Sequence, residues 1–169
     1  QRARGHSRNE RKLTMAAATA WAAYDTFKEY MSDGTIDMDT DEFFMILCLS
    51  TSNAATLSTQ LYANITNEVA TAFDYTQGGQ GCTVSISNAN QWLRSTGTVK
   101  FDVDDIVWSA SGGSIVARYA VIFDTTPTSP ADPLVCYSLL DSAPADITCT
   151  TGNTLTITIN ASGVFTISG

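Results

Sequence analysis

The sequence has little of what an enzyme or a metalloprotein needs. It contains one histidine, His6, and four cysteines without a C-x-x-C pair, so a zinc site is poorly supported. His6 lies near the start of the chain, and a Ser-His-Asp or Cys-His site would have to take its base from a terminal segment. No lysine follows the glycine-rich segment 78–81, which predicts a turn and not a phosphate loop. We expect no catalytic residue, no cofactor and no metal.

Long apolar runs are also missing. The densest one, residues 43–49, is far shorter than the roughly 20 residues of a membrane helix, so we expect no transmembrane segment. The first residues are not followed by the apolar stretch of a cleavable secretory signal. With 169 residues, of which 44% are hydrophobic, the chain has the size and composition of one folded domain.

Basic residues are scarce and unevenly placed. The chain has 9 Lys and Arg against 17 Asp and Glu, a net charge of -8, which argues against a reader of duplex DNA. Five of the nine basic residues lie within residues 1–12: Arg2, Arg4, Arg8, Arg11 and Lys12. The sequence therefore predicts a basic N-terminal arm, residues 1–14, before a single acidic domain, residues 15–169.

Two interpretations of the arm stay open. It is either a solvated terminus or a segment that docks on an acidic neighbouring subunit. Its origin is open as well, because the chain starts at Gln1 and Met15 stands where the domain begins. Upstream trimming, initiation at Met15 and added sequence all fit this arrangement.

An alanine-rich stretch follows the arm. The alanines of residues 16–23 have the highest helix propensity, and Trp21, Tyr24, Phe27 and Met31 recur at helical spacing. We predict one helix from this stretch to the Ser-Asp-Gly signal at Gly34, with its aromatic face packed on a sheet.

From residue 43 onward the pattern is that of strands. Segment 43–49 is apolar on both faces, and segment 114–123 predicts one long strand. Further strands are predicted at 84–87, 98–103, 134–140, 154–159 and 164–167. Glycine, proline and asparagine turns separate them. The sequence therefore predicts a mainly β fold, an antiparallel β-sandwich or jelly-roll-like domain with one N-terminal α-helix.

One acidic cluster has the first spacings of a calcium loop. It comprises Asp33, Asp37, Asp39, Asp41 and Glu42. Glu42 stands where an EF-hand needs glycine, and Cys48 stands where it needs the bidentate glutamate. Solvated loop carboxylates are therefore favoured over a calcium site.

The cysteines and one arginine allow expectations about burial. Cys48 and Cys136 lie in apolar strands and are predicted to be buried, whereas Cys82 and Cys149 flank turns, where either could be partly exposed. Reduced thiols are favoured over two disulfides. Arg118 lies within the predicted long strand, where it either faces solvent or pairs with a carboxylate from Asp102, Asp104, Asp105 or Asp124.

Several segments together resemble small virion structural proteins of tailed bacteriophages. They are residues 26–28, 34–37, 41–44, 61–70, 75–79, 107–122 and 159–166. The resemblance spans Met15 to Gly169 and leaves the arm outside. It implies a structural component of the particle with no catalytic residues, and Trp108 and Phe165 are its bulky core anchors. A free hydrolase is the remaining enzymatic alternative.

The resemblance implies a place in the virion and no membrane or specific nucleic-acid partner. A head decoration or cement protein would contact the major capsid protein or other virion subunits as a homo-oligomer, a trimer being one form, with the arm on an acidic neighbour. The alternative is a tail, neck or fibre component. A fibre component could bind host glycans through an exposed aromatic residue such as Trp92, although Trp92 fits a core or interface position equally well. Strands rich in Thr, Ser and Ala bury little apolar area each, which favours burial between subunits.

Overall fold

The computed structural model describes residues 17–84 and 91–169. One α-helix, α1 (Phe27–Asp33), and one short 3-10 helix (Tyr62–Asn64) accompany the strands. No helix of the described residues is long and apolar enough to cross a membrane. The strands are β1 (Ala22–Ala23), β2 (Phe43–Cys48), β3 (Gln80–Gly81), β4 (Trp92–Ser95), β5 (Thr98–Phe101), β6 (Ile106–Ser109), β7 (Ile115–Ala117), β8 (Tyr119–Asp124), β9 (Leu134–Leu139), β10 (Ile147–Cys149), β11 (Thr154–Ile157) and β12 (Phe165–Ser168).

The largest sheet has five strands in the order β1-β9-β8-β2-β3, all antiparallel to their neighbours. Strand β2 lies inside this sheet and is buried on both faces, as its unbroken apolar sequence predicts. Phe43, Met45 and Leu47 point into the larger of two apolar clusters. Ile46 and Cys48 point into the smaller one on the opposite face. The sheet is therefore a wall between two cores.

Three smaller antiparallel pairings enclose the larger cluster. They are β4-β5-β12, β6-β11 and β7-β10. Trp108 of β6 is fully buried in the cluster, and Phe165 of β12 packs its ring against Phe27 and Phe101 at centroid distances of 5.5 and 5.6 Å. The prediction of a mainly β, antiparallel fold with one helix is confirmed.

The predicted long helix is wrong in its extent. The described part of the alanine-rich stretch is extended: the Thr19 N–H donates to the Leu139 carbonyl oxygen at 2.9 Å, and β1 pairs with β9. Helix propensity contributes only a few tenths of a kcal/mol per residue, and hydrogen bonds along a sheet edge override it. Helix α1 ends as predicted, with Gly34 in the left-handed region at φ +81°. Tyr24 and Phe27 are both buried but lie in different clusters, so they do not form one face.

The predicted strand at 114–123 is two strands that belong to different sheets. β7 pairs with β10, and β8 pairs with β2 and β9. Arg118 lies at the break, where its N–H donates to the Cys48 carbonyl oxygen and its own carbonyl accepts from Leu140. Segments 98–103, 134–140, 154–159 and 164–167 contain strands as predicted, with bounds that differ by one to two residues. The predicted strand 84–87 extends into residues outside the described part.

Gly79 fixes the approach of the 77–81 turn to the central sheet. Its φ is +72°, and a Cβ at this position would overlap the carbonyl oxygen of Met45 in β2. Gly152 has a similar φ of +81° but open space where its Cβ would be. A side chain at Gly152 would therefore cause backbone strain alone, whereas a side chain at Gly79 would cause backbone strain and a steric clash.

We expect Gly79→Ala to destabilise the fold by about 2–5 kcal/mol, since it adds a clash with β2 to left-handed strain. Gly152→Ala adds the strain alone and should cost about 1–2 kcal/mol. Urea unfolding of both variants measures the difference. Equal losses would contradict the close approach at Gly79.

Candidate interaction surface

The sequence-predicted arm residues lie outside the described part of the chain. They are Arg2, Arg4, Arg8, Arg11 and Lys12, and His6 lies among them. The residues that the structure describes hold 16 acidic and four basic side chains. Two of these four bases are in ion pairs, Lys100 with Asp102 and Arg118 with Asp146, both at 2.7 Å. The folded body thus presents an excess of carboxylates to any partner.

Arg118 has the carboxylate partner that one interpretation required, although none of the four candidates supplies it. Its Nε donates to Asp146 Oδ1, and both side chains remain partly accessible to solvent. Asp146 comes beside Arg118 because the residue after it begins β10, which pairs with β7. That pairing is long-range and has no local sequence signal.

The acidic cluster forms turns rather than a ligand shell. Asp33 Oδ1 accepts the Thr35 N–H and Asp37 Oδ1 accepts the Asp39 N–H, each at 2.9 Å. Hydrogen bonds from Thr35 lower the pKa of Asp33, and the Asp39 N–H lowers that of Asp37. Within residues 17–84 and 91–169, no three His, Cys, Asp or Glu side chains come together as a metal site.

One carboxylate of the cluster meets a buried carboxylate from the central sheet. Asp124, at the end of β8, is fully buried; its Oδ1 accepts the Thr126 N–H at 2.9 Å, and its Oδ2 receives no donor within the described residues. The Asp41 side chain is the neighbouring acid that interacts with Asp124. Burial and then Asp41 raise the pKa of Asp124 to about 7.

Glu68 is the acceptor at the centre of a second polar cluster. It accepts hydrogen bonds from the Tyr62 hydroxyl at 2.7 Å, the Tyr75 hydroxyl at 2.8 Å and the Gly78 N–H at 2.8 Å. The Tyr75 hydroxyl in turn accepts the Leu47 N–H of β2 at 3.0 Å. Burial, followed by Glu68, raises the pKa of Tyr62 to about 12. This arrangement holds the loops against β2, and its phenols stay protonated near neutral pH.

All four cysteines are free and buried. The burial predicted for Cys48 and Cys136 is confirmed, and Cys82 and Cys149, whose exposure the sequence left open, are buried as well. The Cys82 N–H donates to the Phe43 carbonyl oxygen at 2.7 Å, which places it against β2, and Cys149 lies inside β10. Burial raises the pKa of Cys82 and of Cys48 to about 12, so these thiols are poor nucleophiles.

A groove of about 680 Å³ lies between the extended N-terminal segment, β11 and β12. Segment 18–21 forms one wall, and residues 155–158 and 164–166 contribute the strands. Among residues 17–84 and 91–169, β11 pairs with β6 and β12 with β5, and neither has a second strand partner. Its lining combines buried apolar side chains such as Leu155 and Val164 with exposed hydroxyl and amide side chains, and none of the described residues that line it is charged.

Trp92, the predicted glycan contact, is half-buried in β4 and packs against Phe165 at 6.3 Å. Its ring therefore has limited area for stacking on a sugar. Comparisons with protein-family models, with curated proteins and with solved structures found no match for this chain.

The Asp41–Asp124 contact predicts a pH dependence of stability. Because the pKa of Asp124 is raised, the folded protein holds a proton that the unfolded chain has released above pH ~4. Stability should fall between pH ~4 and about 7, by at most ~1.4 kcal/mol per pH unit. Asp124→Asn should flatten this slope and be more stable than the unchanged protein at pH ~8.

Urea unfolding across this pH range measures the effect. Asp25→Asn, at an exposed aspartate, is the matched control and should leave the slope unchanged. Parallel slopes for Asp124→Asn and the unchanged protein would refute the raised pKa of Asp124.

The Glu68 contacts predict a large loss of stability on truncation. Glu68→Ala removes the acceptor of three donors, and we expect the free energy of unfolding to fall by roughly 2–4 kcal/mol. Glu29→Ala, on the exposed side of α1, should change it by less than about 0.5 kcal/mol. Thermal or urea unfolding compares the two, and similar small effects would contradict a structural role for Glu68.

Proposed function

We propose that this chain is a non-enzymatic structural protein of a tailed-bacteriophage virion, a decoration or cement protein of the head. The observation that carries the proposal is the separation of charge: a folded body with a net charge of -12 follows a segment with a net charge of +4. Such a molecule is complementary to further copies of itself and to other acidic subunits. Charge complementarity selects partners and speeds their association.

The proposed mechanism is stabilisation through added interface. Residues 1–12 of each copy, with Arg2, Arg4, Arg8, Arg11 and Lys12, contact the acidic body of a neighbour or the major capsid protein. A stable interface of this kind buries on the order of 1,200–2,000 Å². Copies joined in a homo-oligomer, such as a trimer, would hold neighbouring capsomers together. The resemblance described above supports the virion as the location.

A tail, neck or fibre component is the second candidate, because the same charge separation serves any subunit contact. The glycan-binding variant of this candidate has weaker support, since Trp92 is half-buried.

The two candidates predict different copy numbers. A cement protein should be present in hundreds of copies on the head lattice, whereas a tail component should follow the low copy number of tail symmetry. Cryo-EM of intact particles, with quantitative mass spectrometry against the major capsid protein, counts the copies. Absence of the chain from purified particles would overturn both candidates.

A further inference from the structure

A second, polar pocket of about 510 Å³ lies between the 3-10 helix and the loop that precedes β3. It shares no lining residue with the groove beside β11 and β12. The described residues that line it are Tyr62, Ala63, Ile65, Asn67, Glu68 and Gln77. Glu68, which is half-buried, is the charged residue among them.

The hydrogen bonds of the lining side chains leave mainly acceptors for a ligand. The Tyr62 hydroxyl gives its only proton to Glu68 Oε2 at 2.7 Å, so its lone pairs remain. Within the described residues, Glu68 Oε2 receives that one donor and has a second lone pair. Asn67 Nδ2 donates to the Thr51 carbonyl oxygen at 3.0 Å, and no described residue donates to Asn67 Oδ1.

The negative charge of Glu68 has no basic partner among residues 17–84 and 91–169. The two ion pairs of these residues lie elsewhere, at Lys100–Asp102 and Arg118–Asp146. The described donors to Glu68 are two phenols and one backbone N–H, which are all neutral. Because solvent screens a half-buried carboxylate less than an exposed one, Glu68 attracts a cation more strongly than the surface carboxylates do.

A guanidinium group matches these acceptors. It is a planar cation with five N–H donors and no acceptor. Tyr62 Oη and Glu68 Oε2 are 2.7 Å apart, so two neighbouring N–H groups of one guanidinium edge can each reach one of them. Ala63 and Ile65 supply apolar surface for the methylene groups of an arginine side chain.

The loop that forms the pocket is held in place by the central sheet. The Val69 N–H donates to the Leu47 carbonyl oxygen at 2.9 Å, and the Leu47 N–H donates to the Tyr75 hydroxyl at 3.0 Å. The Tyr62 ring is stacked on Phe123 of β8 at a centroid distance of 4.6 Å. A site whose groups are fixed in advance loses little conformational entropy on binding.

We propose that this pocket binds the guanidinium group of an arginine side chain. Glu68 Oε2 and Tyr62 Oη accept two of its N–H groups, and Asn67 Oδ1 accepts a third. The methylene groups lie against Ile65. The site does not depend on the proposed function, but it goes beyond that function by naming the residues that receive a basic side chain.

NMR titration of the isotope-labelled full chain tests the site. The probe is Nα-acetyl-arginine N-methylamide, and the reporter is the Gly78 N–H, which donates to Glu68 Oε1 at 2.8 Å. The Thr35 N–H, which donates to the exposed Asp33, reports non-specific binding of cations to surface carboxylates. We expect the Gly78 signal to reach half-saturation at about tenfold lower probe concentration than the Thr35 signal. The neutral citrulline analogue should leave the Gly78 signal unchanged.

Two variants and a charge-matched control test the lining. Tyr62→Phe keeps the ring on Phe123, removes one acceptor and should weaken probe binding about fivefold. Glu68→Gln should weaken binding about tenfold. Glu29→Gln removes the same charge from an exposed position outside the pocket and should leave binding unchanged. If Glu68→Gln does not fold, Tyr62→Phe decides the matter alone.

Three results would overturn the proposal. The first is equal half-saturation of the Gly78 and Thr35 signals. The second is unchanged binding to Tyr62→Phe. The third is a response of Gly78 to the lysine analogue, to calcium or to a neutral hexose that equals its response to the arginine probe.

A further variant identifies the source of the arginine. Arg2, Arg4, Arg8 and Arg11 are replaced by glutamine, and the Gly78 signal is compared with that of the unchanged chain without probe. A difference that is independent of protein concentration indicates arginines of the same chain, and one that increases with concentration indicates a second copy. Identical signals assign the arginine to a different subunit. The copy count in particles tests the proposed function separately, so either result can stand without the other.

Discussion

Both faces of strand β2 are apolar and must be shielded from water, and the surrounding elements provide this shielding. Its six residues, Phe43–Cys48, contain no charge, and five of them are buried. Its two neighbours, β8 and β3, come from distant parts of the chain, and each face needs a separate apolar layer. At roughly 25 cal/mol per Å² of buried apolar area, a strand shielded on two sides contributes more than any half-exposed strand around it.

The two covering layers are built differently. Side chains from α1 and the smaller sheets fill one side, whereas the smaller cluster draws Ala54, Tyr62 and Ile65 from the long loop between β2 and β3. Backbone hydrogen bonds tie this loop to the end of β2: the Leu49 N–H donates to the Asn67 carbonyl oxygen and the Val69 N–H to the Leu47 carbonyl oxygen, both at 2.9 Å. The Glu68 side chain adds hydrogen bonds from two tyrosine hydroxyls and the Gly78 N–H. The Glu68 cluster therefore helps to hold this layer against the central sheet.

The sequence predicts the elements whose signal is local. Apolar continuity indicates β2, period-two alternation indicates β11, and Gly34 indicates the end of α1. The prediction fails where pairing with a strand distant in sequence determines the backbone conformation. Pairing with β9 makes the alanine-rich segment extended, and the change of partner strand at Arg118 divides one predicted strand into β7 and β8. The sites divide in the same way. The basic segment at the start of the chain follows directly from composition. The Asp41–Asp124 contact joins residues 83 positions apart, and the groove forms between segments that are distant in sequence, so neither could be predicted.

The pairing of β2 with β8 also has a consequence for synthesis on the ribosome. Phe43 is in register with Asp124, so β2 leaves the exit tunnel while its main partner is still untranslated. For that interval the nascent chain carries an uncharged apolar hexapeptide, which is the type of sequence that aggregates through intermolecular β-pairing. Asp41 and Glu42 immediately precede it and place negative charge where such pairing would begin. Charges placed directly before an apolar segment oppose such pairing.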